Sequence, residues 1–149
     1  MKIFIGADHR GYKLKKEIIK FLVSKLGQKV VDLGIYQDRV TCDYPKIAYK
    51  VGKEVVKSKN NLGVLVCMTG IGQSIAANKI RGVYAALCYT KKAAAFARQH
   101  NNANVLVLGA RFVKRKEISK IIKAWLDARF EGGRHLRRVN QIKEIEKGN

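Results

Sequence analysis

Short runs of Val, Ile and Leu alternate along this chain with amphipathic stretches, and the alternation predicts most of its elements. Lys2–Ala7 reads as a first strand. Gly11–Leu26 follows as a helix, with Leu14, Ile18, Leu22 and Leu26 on one face. Lys29–Leu33 is a second strand. After Gly34 comes a loop with Asp43-Tyr44-Pro45, where the chain's one proline suits a helix start, and Ile47–Val56 continues as that helix. Leu62–Val66 is a third strand ending at Cys67; a glycine turn and a run of small helix formers follow. Val83–Leu87 and Asn104–Leu108 are predicted strands, Thr90–His100 and Arg115–Leu126 helices. Past the Gly132-Gly133 break, a charged helix over His135–Lys147 closes the chain.

Strands alternating with helices at this spacing imply βαβ units and a five-stranded parallel sheet covered on both faces. The nearly continuous apolar strands agree. In such sheets ligands bind beyond the strands' carboxyl ends. That edge is expected to gather Asp8-His9, the Cys67–Gly72 turn and Arg111. No Gly-x-Gly-x-x-Gly follows the first strand and there is no Walker A lysine, so neither a dinucleotide site nor a nucleotide hydrolase is expected.

Composition narrows this further. A chain of 149 residues with 47% hydrophobic and 28% charged residues forms one globular domain, taken as 1–149, with the glycine break as a hinge to a terminal arm. No apolar run approaches the ~18 residues of a membrane span, and the early-charged start does not resemble a signal peptide, so a cytoplasmic location is expected. Cys42, Cys67 and Cys88 are expected to be free thiols. His9, His100 and His135 lack the i, i+4 spacing of a helical zinc site, so no metal is expected. The net charge of +20 is large. Its Lys and Arg residues are spread over the helices without interleaved aromatics, which argues against specific nucleic-acid binding.

The strongest local signal is Cys67-Met-Thr-Gly-Ile-Gly72. A strand, glycine turn and helix aim free amides at one spot beside a thiol, whose pKa a helix N-terminus would lower. Thr69 adds a hydroxyl. Each part also has a plainer reading. Cys67 is then a core residue, the glycines serve φ > 0, and Asp8 is a helix cap beside a surface His9. Gln99-His100-Asn101-Asn102 becomes a polar C-cap, and Arg134 and Arg138, four apart on one face, a solvated surface. The chemical reading makes the two arginines a phosphate clamp.

In order and spacing, several motifs together closely resemble the ribose-5-phosphate isomerase B family, which belongs with the galactose-6-phosphate isomerase subunits. They are Gly6-Ala-Asp-His9, Asp43-Tyr-Pro45, Cys67-Met-Thr-Gly-Ile-Gly72, Ser74-Ile-Ala-Ala-Asn-Lys79, His100-Asn-Asn-Ala-Asn-Val105, Gly109-Ala-Arg111 and Phe130-Glu-Gly-Gly-Arg-His135. The resemblance implies a Rossmann-like αβα fold, a homodimer or dimer of dimers whose terminal helix reaches the partner, no cofactor, and interconversion of ribose 5-phosphate and ribulose 5-phosphate. By position Cys67 matches the general base and His100 the ring-opening group. Asp8, His9, Tyr44, Met68, Thr69, Gly70, Ile71, Gly72, Ser74, Asn101, Arg111, Arg134 and Arg138 match substrate-binding positions. Asp8 and Thr69 are also candidates for assisting proton transfer.

Two positions within the motifs bear on the chemistry. Met68 stands where the family turn usually has glycine, so it either pays for a positive φ or narrows the pocket. Gln73 stands where one branch carries a glutamate base; an amide cannot take the proton, which leaves that task to Cys67. The rival readings are a six-carbon sugar-phosphate isomerase and a non-catalytic phosphosugar or nucleic-acid binder.

Overall fold

The computed structural model describes residues 1–37 and 39–148. Five parallel strands form one sheet: β1 (Lys2–Ala7), β2 (Val30–Asp32), β3 (Asn61–Cys67), β4 (Ala85–Leu87) and β5 (Val105–Gly109), in the order β2-β1-β3-β5-β4. Among the described residues six helices complete it: α1 (Tyr12–Ser24), α2 (Tyr44–Val55), α3 (Ile71–Ala77), α4 (Lys91–Asn101), α5 (Arg115–Asp127) and α6 (Gly133–Gly148).

Strand alternation sorts the core into two layers. Ile3, Ile5, Val64, Val66, Leu106 and Leu108 face α1, α4 and α5, meeting Leu14, Ile18, Ala94, Ile121 and Trp125. Phe4, Leu65, Val105 and Val107 point the opposite way, against Ile47, Val51 and Val55 of α2 and Ala77 of α3. Each fully buried side chain of this size contributes roughly 1.5–3 kcal/mol. The result is the expected Rossmann-like αβα sandwich.

Side-chain chemistry explains where boundaries shift. β4 begins at Ala85 rather than Val83 because the preceding amides are already taken, that of Val83 by the Ile80 carbonyl (3.0 Å) and its neighbours by side chains. Gly82 N–H donates to Glu146 (3.1 Å) and Tyr84 N–H to Asn104 Oδ1 (2.8 Å), while Asn78 bonds both the N–H and the C=O of Ala85. α2 begins at Tyr44, earlier than Ile47, with Pro45 in its first turn. α6 is not a free arm. Gly132 (φ 69°) and Gly133 (φ 51°) reverse the chain, and His135 and Val139 are buried against its own protomer.

A buried cation secures the loop after β2. Lys15 of α1 is fully buried and donates to both oxygens of Asp32 (2.7 and 2.8 Å) and to the Ile35 carbonyl, with the Tyr12 and Tyr36 rings over it.

From β1 the chain moves to β2 on one side and to β3 on the other. The direction reverses there, so the crevice beyond the carboxyl ends of β1 and β3 is the ligand edge this topology dictates.

Candidate active site

Cys67 ends β3 at that crevice and is 5% exposed. The turn after it is clamped on all sides. Ala110 N–H donates to the Cys67 carbonyl (2.8 Å), Arg111 N–H to the Met68 carbonyl (3.0 Å) and the Tyr89 hydroxyl to the Thr69 carbonyl (2.9 Å). Gly109 permits this approach, since a Cβ there would overlap the Thr69 carbonyl. Gly70 adopts φ 83°, which only glycine holds without strain. Gly72 leaves room for the Tyr44 ring: a Cβ would sit 2.5 Å from its Cζ. Ile71 is exposed and Ser74 half-buried in the first turn of α3.

The amides of the turn do not aim at an open anion site, as the sequence suggested. They converge on sulfur. Gly70 N–H donates to Cys67 Sγ at 2.9 Å, and the Thr69 and Gln73 amides also favour its thiolate. Ile71 N–H is taken by Thr69 Oγ1 (3.3 Å). The expected lowering of the thiol's pKa is overturned. Burial pushes the Cys67 thiol up, the Asp8 carboxylate adds to this, and the amide bonds oppose without prevailing.

The hydrogen bonds of Asp8 follow its plainer, turn-forming reading. Its Oδ1 accepts from Arg10 N–H (3.0 Å) and Gly11 N–H (2.9 Å), shaping the turn into α1, and its charge is near enough to act on Cys67. His9, Arg10, Lys13, Arg39, Met68, Ala110 and Arg111 line an open cleft of about 710 Å³. His9 and Arg111 thus share the ligand edge as expected. The sequence reading missed Arg10, Lys13 and Arg39, although Arg10 directly follows the Asp8-His9 pair. Arg10 Nη1 lies 2.8 Å from Met68 Sδ. Among the described residues Asn102 is the only non-glycine with positive φ, so Met68 carries no such strain and acts through the space it fills.

Gln73 is fully buried, and among the described residues neither its Nε2 nor its Oε1 has a hydrogen-bond partner. A buried amide in that state costs about 1–3 kcal/mol.

His100 is not at the ligand edge. It lies in the last turn of α4, which descends from the carboxyl end of β4 and ends at Asn101, just before β5 begins at Val105. His100 and the exposed Asn101 therefore sit at the amino edge of the sheet, a strand length from Cys67. For the seven residues of β3 that is on the order of 20 Å. His100 stacks between Phe96 (centroids 4.7 Å apart) and His135 (4.3 Å, rings within 2° of parallel). Glu131 Oε2 stands 3.9 Å from His100 Nε2 and 3.6 Å from His135 Nε2. Burial holds His135 below the usual imidazole range, and the charges of His100, Arg134 and Arg138 push the same way, with Glu131 opposing. Arg134 and Arg138 are exposed there. One ligating atom each of His100, Glu131 and His135 falls within 4.8 Å of the others, a set able to hold a metal ion. The helical spacing rule could not find it, because tertiary packing assembles it.

The candidate residues thus form two groups at opposite edges. Asp8, His9, Tyr44, Arg111 and the 67–74 segment make one; His100, Asn101, Arg134 and Arg138 make the other.

The profile of the Ribose/Galactose Isomerase family matches residues 3–142. The probable ribose-5-phosphate isomerase B of Mycoplasma genitalium (strain ATCC 33530 / DSM 19775 / NCTC 10195 / G37) is 50% identical over 146 residues, 97% of this chain and 95% of that protein. The structure of ribose-5-phosphate isomerase B from Clostridium thermocellum superposes with a TM-score of 0.95 at 46% identity, covering 99% of each chain. The Mycoplasma genitalium ribose-5-phosphate isomerase B solved with bound ribulose-5-phosphate superposes at 0.93, with 48% identity over 99% of this chain and 97% of that one. On its sequence and its fold together, the chain belongs to the ribose/galactose isomerase family.

Proposed function

We infer that this protein is a cofactor-independent aldose–ketose isomerase of the cytoplasm, interconverting ribose 5-phosphate and ribulose 5-phosphate through an enediolate. The observation that carries this reading is a buried, amide-cradled thiol beside a cleft lined by Arg10, Lys13, Arg39 and Arg111. Likeness to the Mycoplasma protein that binds ribulose-5-phosphate supports the choice of substrate.

Cys67 thiolate removes the C2 proton. The C–H electrons form a C1=C2 double bond, and the aldehyde oxygen takes the negative charge. Thr69 Oγ1 relays a proton between O2 and O1, and Cys67 returns its proton to C1. Tyr44, Ile71, Gly72 and Ser74 shape the sugar pocket, and the turn's amides hold the thiolate that acts on it. His9 and Arg111 bind the phosphate from one side. Asp8 orients the sugar.

The remaining groups come from a second copy. A two-fold axis that sets the amino edge of one protomer against the carboxyl edge of the other delivers His100 to open the furanose ring. The same packing delivers Asn101 to hold the sugar, and Arg134 and Arg138 to clamp the phosphate. The separation of the two groups within one chain supports this homodimer.

A coupled assay on ribose 5-phosphate, with allose 6-phosphate and galactose 6-phosphate alongside, tests the reading. Turnover of ribose 5-phosphate is expected, and its loss in Cys67→Ala. A parent enzyme no faster than that variant overturns the isomerase assignment. Preference for a six-carbon substrate overturns the choice of sugar.

A further inference from the structure

We propose that His100, Glu131 and His135 form a binding site for a divalent transition-metal ion of the zinc type. The three residues come from the last turn of α4, the α5–α6 connection and the first turn of α6. Backbone bonds fix two of them: Glu131 N–H donates to the Gln99 carbonyl (3.0 Å) and His135 N–H to the Gly132 carbonyl (3.0 Å). Phe96 backs the His100 ring.

Two of the three spacings are close to those of a three-ligand zinc centre, and all three ligand atoms lie within 4.8 Å of one another. At Zn–N and Zn–O bond lengths near 2.0–2.2 Å, the edges of a tetrahedral ligand set measure about 3.3 Å. The two Nε2–Oε2 separations, 3.6 and 3.9 Å, exceed this by a few tenths of an ångström. Closing them requires the parallel imidazoles to turn apart until both lone pairs meet. The side chains of His100 (34% exposed) and Glu131 (50% exposed) have the freedom to move. The buried His135 is the fixed point of the set.

Chemistry selects the ion. A ligating imidazole must be neutral, the form that burial favours at His135. Arg134 and Arg138 nearby disfavour a hard cation held by charge alone. Two imidazoles and one carboxylate suit zinc, copper or nickel rather than calcium or magnesium.

Occupation takes the Nε2 lone pair of His100. On the isomerase reading above, the metal therefore inhibits turnover of cyclic ribose 5-phosphate.

The test separates binding from activity. Chelator-treated full-length Cys67→Ser protein, which lacks the competing site thiol, is titrated calorimetrically with zinc chloride, and with cobalt chloride for its absorption spectrum. One ion per chain is expected, with micromolar or tighter affinity and visible cobalt bands without thiolate-to-metal charge transfer. Glu131→Gln, a change at an exposed side chain, should weaken binding at least tenfold, and His135→Asn should abolish it. No binding below about 100 µM, or binding indifferent to Glu131→Gln, overturns the site; the second result holds even if His135→Asn fails to fold. In the parent enzyme, zinc should inhibit and a chelator restore activity, with Glu131→Gln resistant. Glu131-dependent binding without inhibition preserves the metal site and overturns the ring-opening role of His100.

Discussion

The two edges of the sheet are built on different principles. At the carboxyl edge the backbone does the shaping. Gly11, Gly70 and Gly109 admit approaches that a Cβ would block, and the Cys67 sulfur is buried among main-chain amides. At the amino edge side chains do the shaping. A histidine is stacked between rings, a carboxylate hangs beside it, and two arginines project from a helix held back by two glycines. The first construction holds the Cys67 sulfur buried, under a backbone amide. The second presents groups able to shift as they meet a ligand, which suits clamping and ring opening better than carbon deprotonation.

Cys67→Ala should be the most damaging change, lowering kcat about a thousandfold. The fold should persist, as judged by a cooperative thermal transition and unchanged far-ultraviolet circular dichroism. Near-normal turnover would remove the carboxyl edge from the chemistry.

His100→Asn comes next. It should slow cyclic ribose 5-phosphate about a hundredfold in pre-steady-state turnover, while substrate trapped in its open form bypasses the defect. Equal slowing of the open form would give His100 another role.

Arg138→Ala should raise KM about tenfold or more through loss of a bidentate phosphate contact. It also probes the juxtaposition of the edges. Inactive Cys67→Ala chains exchanged with Arg138→Ala chains, and assayed at substrate well below the parental KM where the second variant alone is slow, should recover about a quarter of parental activity, since half the dimers then hold one intact site. No recovery despite confirmed exchange would place both edges of each site on one chain.

The smallest effects concern pH. Because the Cys67 thiol is pushed above its ordinary value, turnover should keep rising through pH ~8.5, where a free thiol would be half ionised. Stability should move the other way. A thiol raised in the folded state stays protonated after the unfolded chain has lost its proton. Folding is therefore weakened as pH climbs past ~8.5. Burial pushes Cys88 up to about 11, extending that decline towards pH 11. Urea midpoints measured against pH should fall across this window, and Cys88→Ala should flatten the fall.

The carboxyl edge was legible in the sequence because it is local. A strand, a glycine turn and a helix occupy consecutive residues, so Cys67, Thr69 and Gly70 announce one another. The Asp8-His9 pair ends a strand whose limits matched. The direction of the Cys67 shift was not legible, since it depends on burial and on Asp8, brought near by strand pairing. The amino edge was half legible. Its motifs were visible, but spacing along the chain does not say that α4 carries His100 away from Cys67. Nor does it reveal that Glu131 and His135 close around His100 from thirty-odd positions onward.

The strand length between Cys67 and Arg138 also has a genetic meaning on the shared-site reading. A chain disabled only at Cys67 still lends its arginines to a normal partner, whose own thiol then works. Mixed with an equal amount of the parent, such a chain subtracts nothing from the sites the parent can fill, and the defect is recessive. A chain disabled at both Cys67 and Arg138 spoils both sites of every mixed dimer and silences about one half of the parental capacity. Two recessive lesions, placed in one chain, become a dominant one.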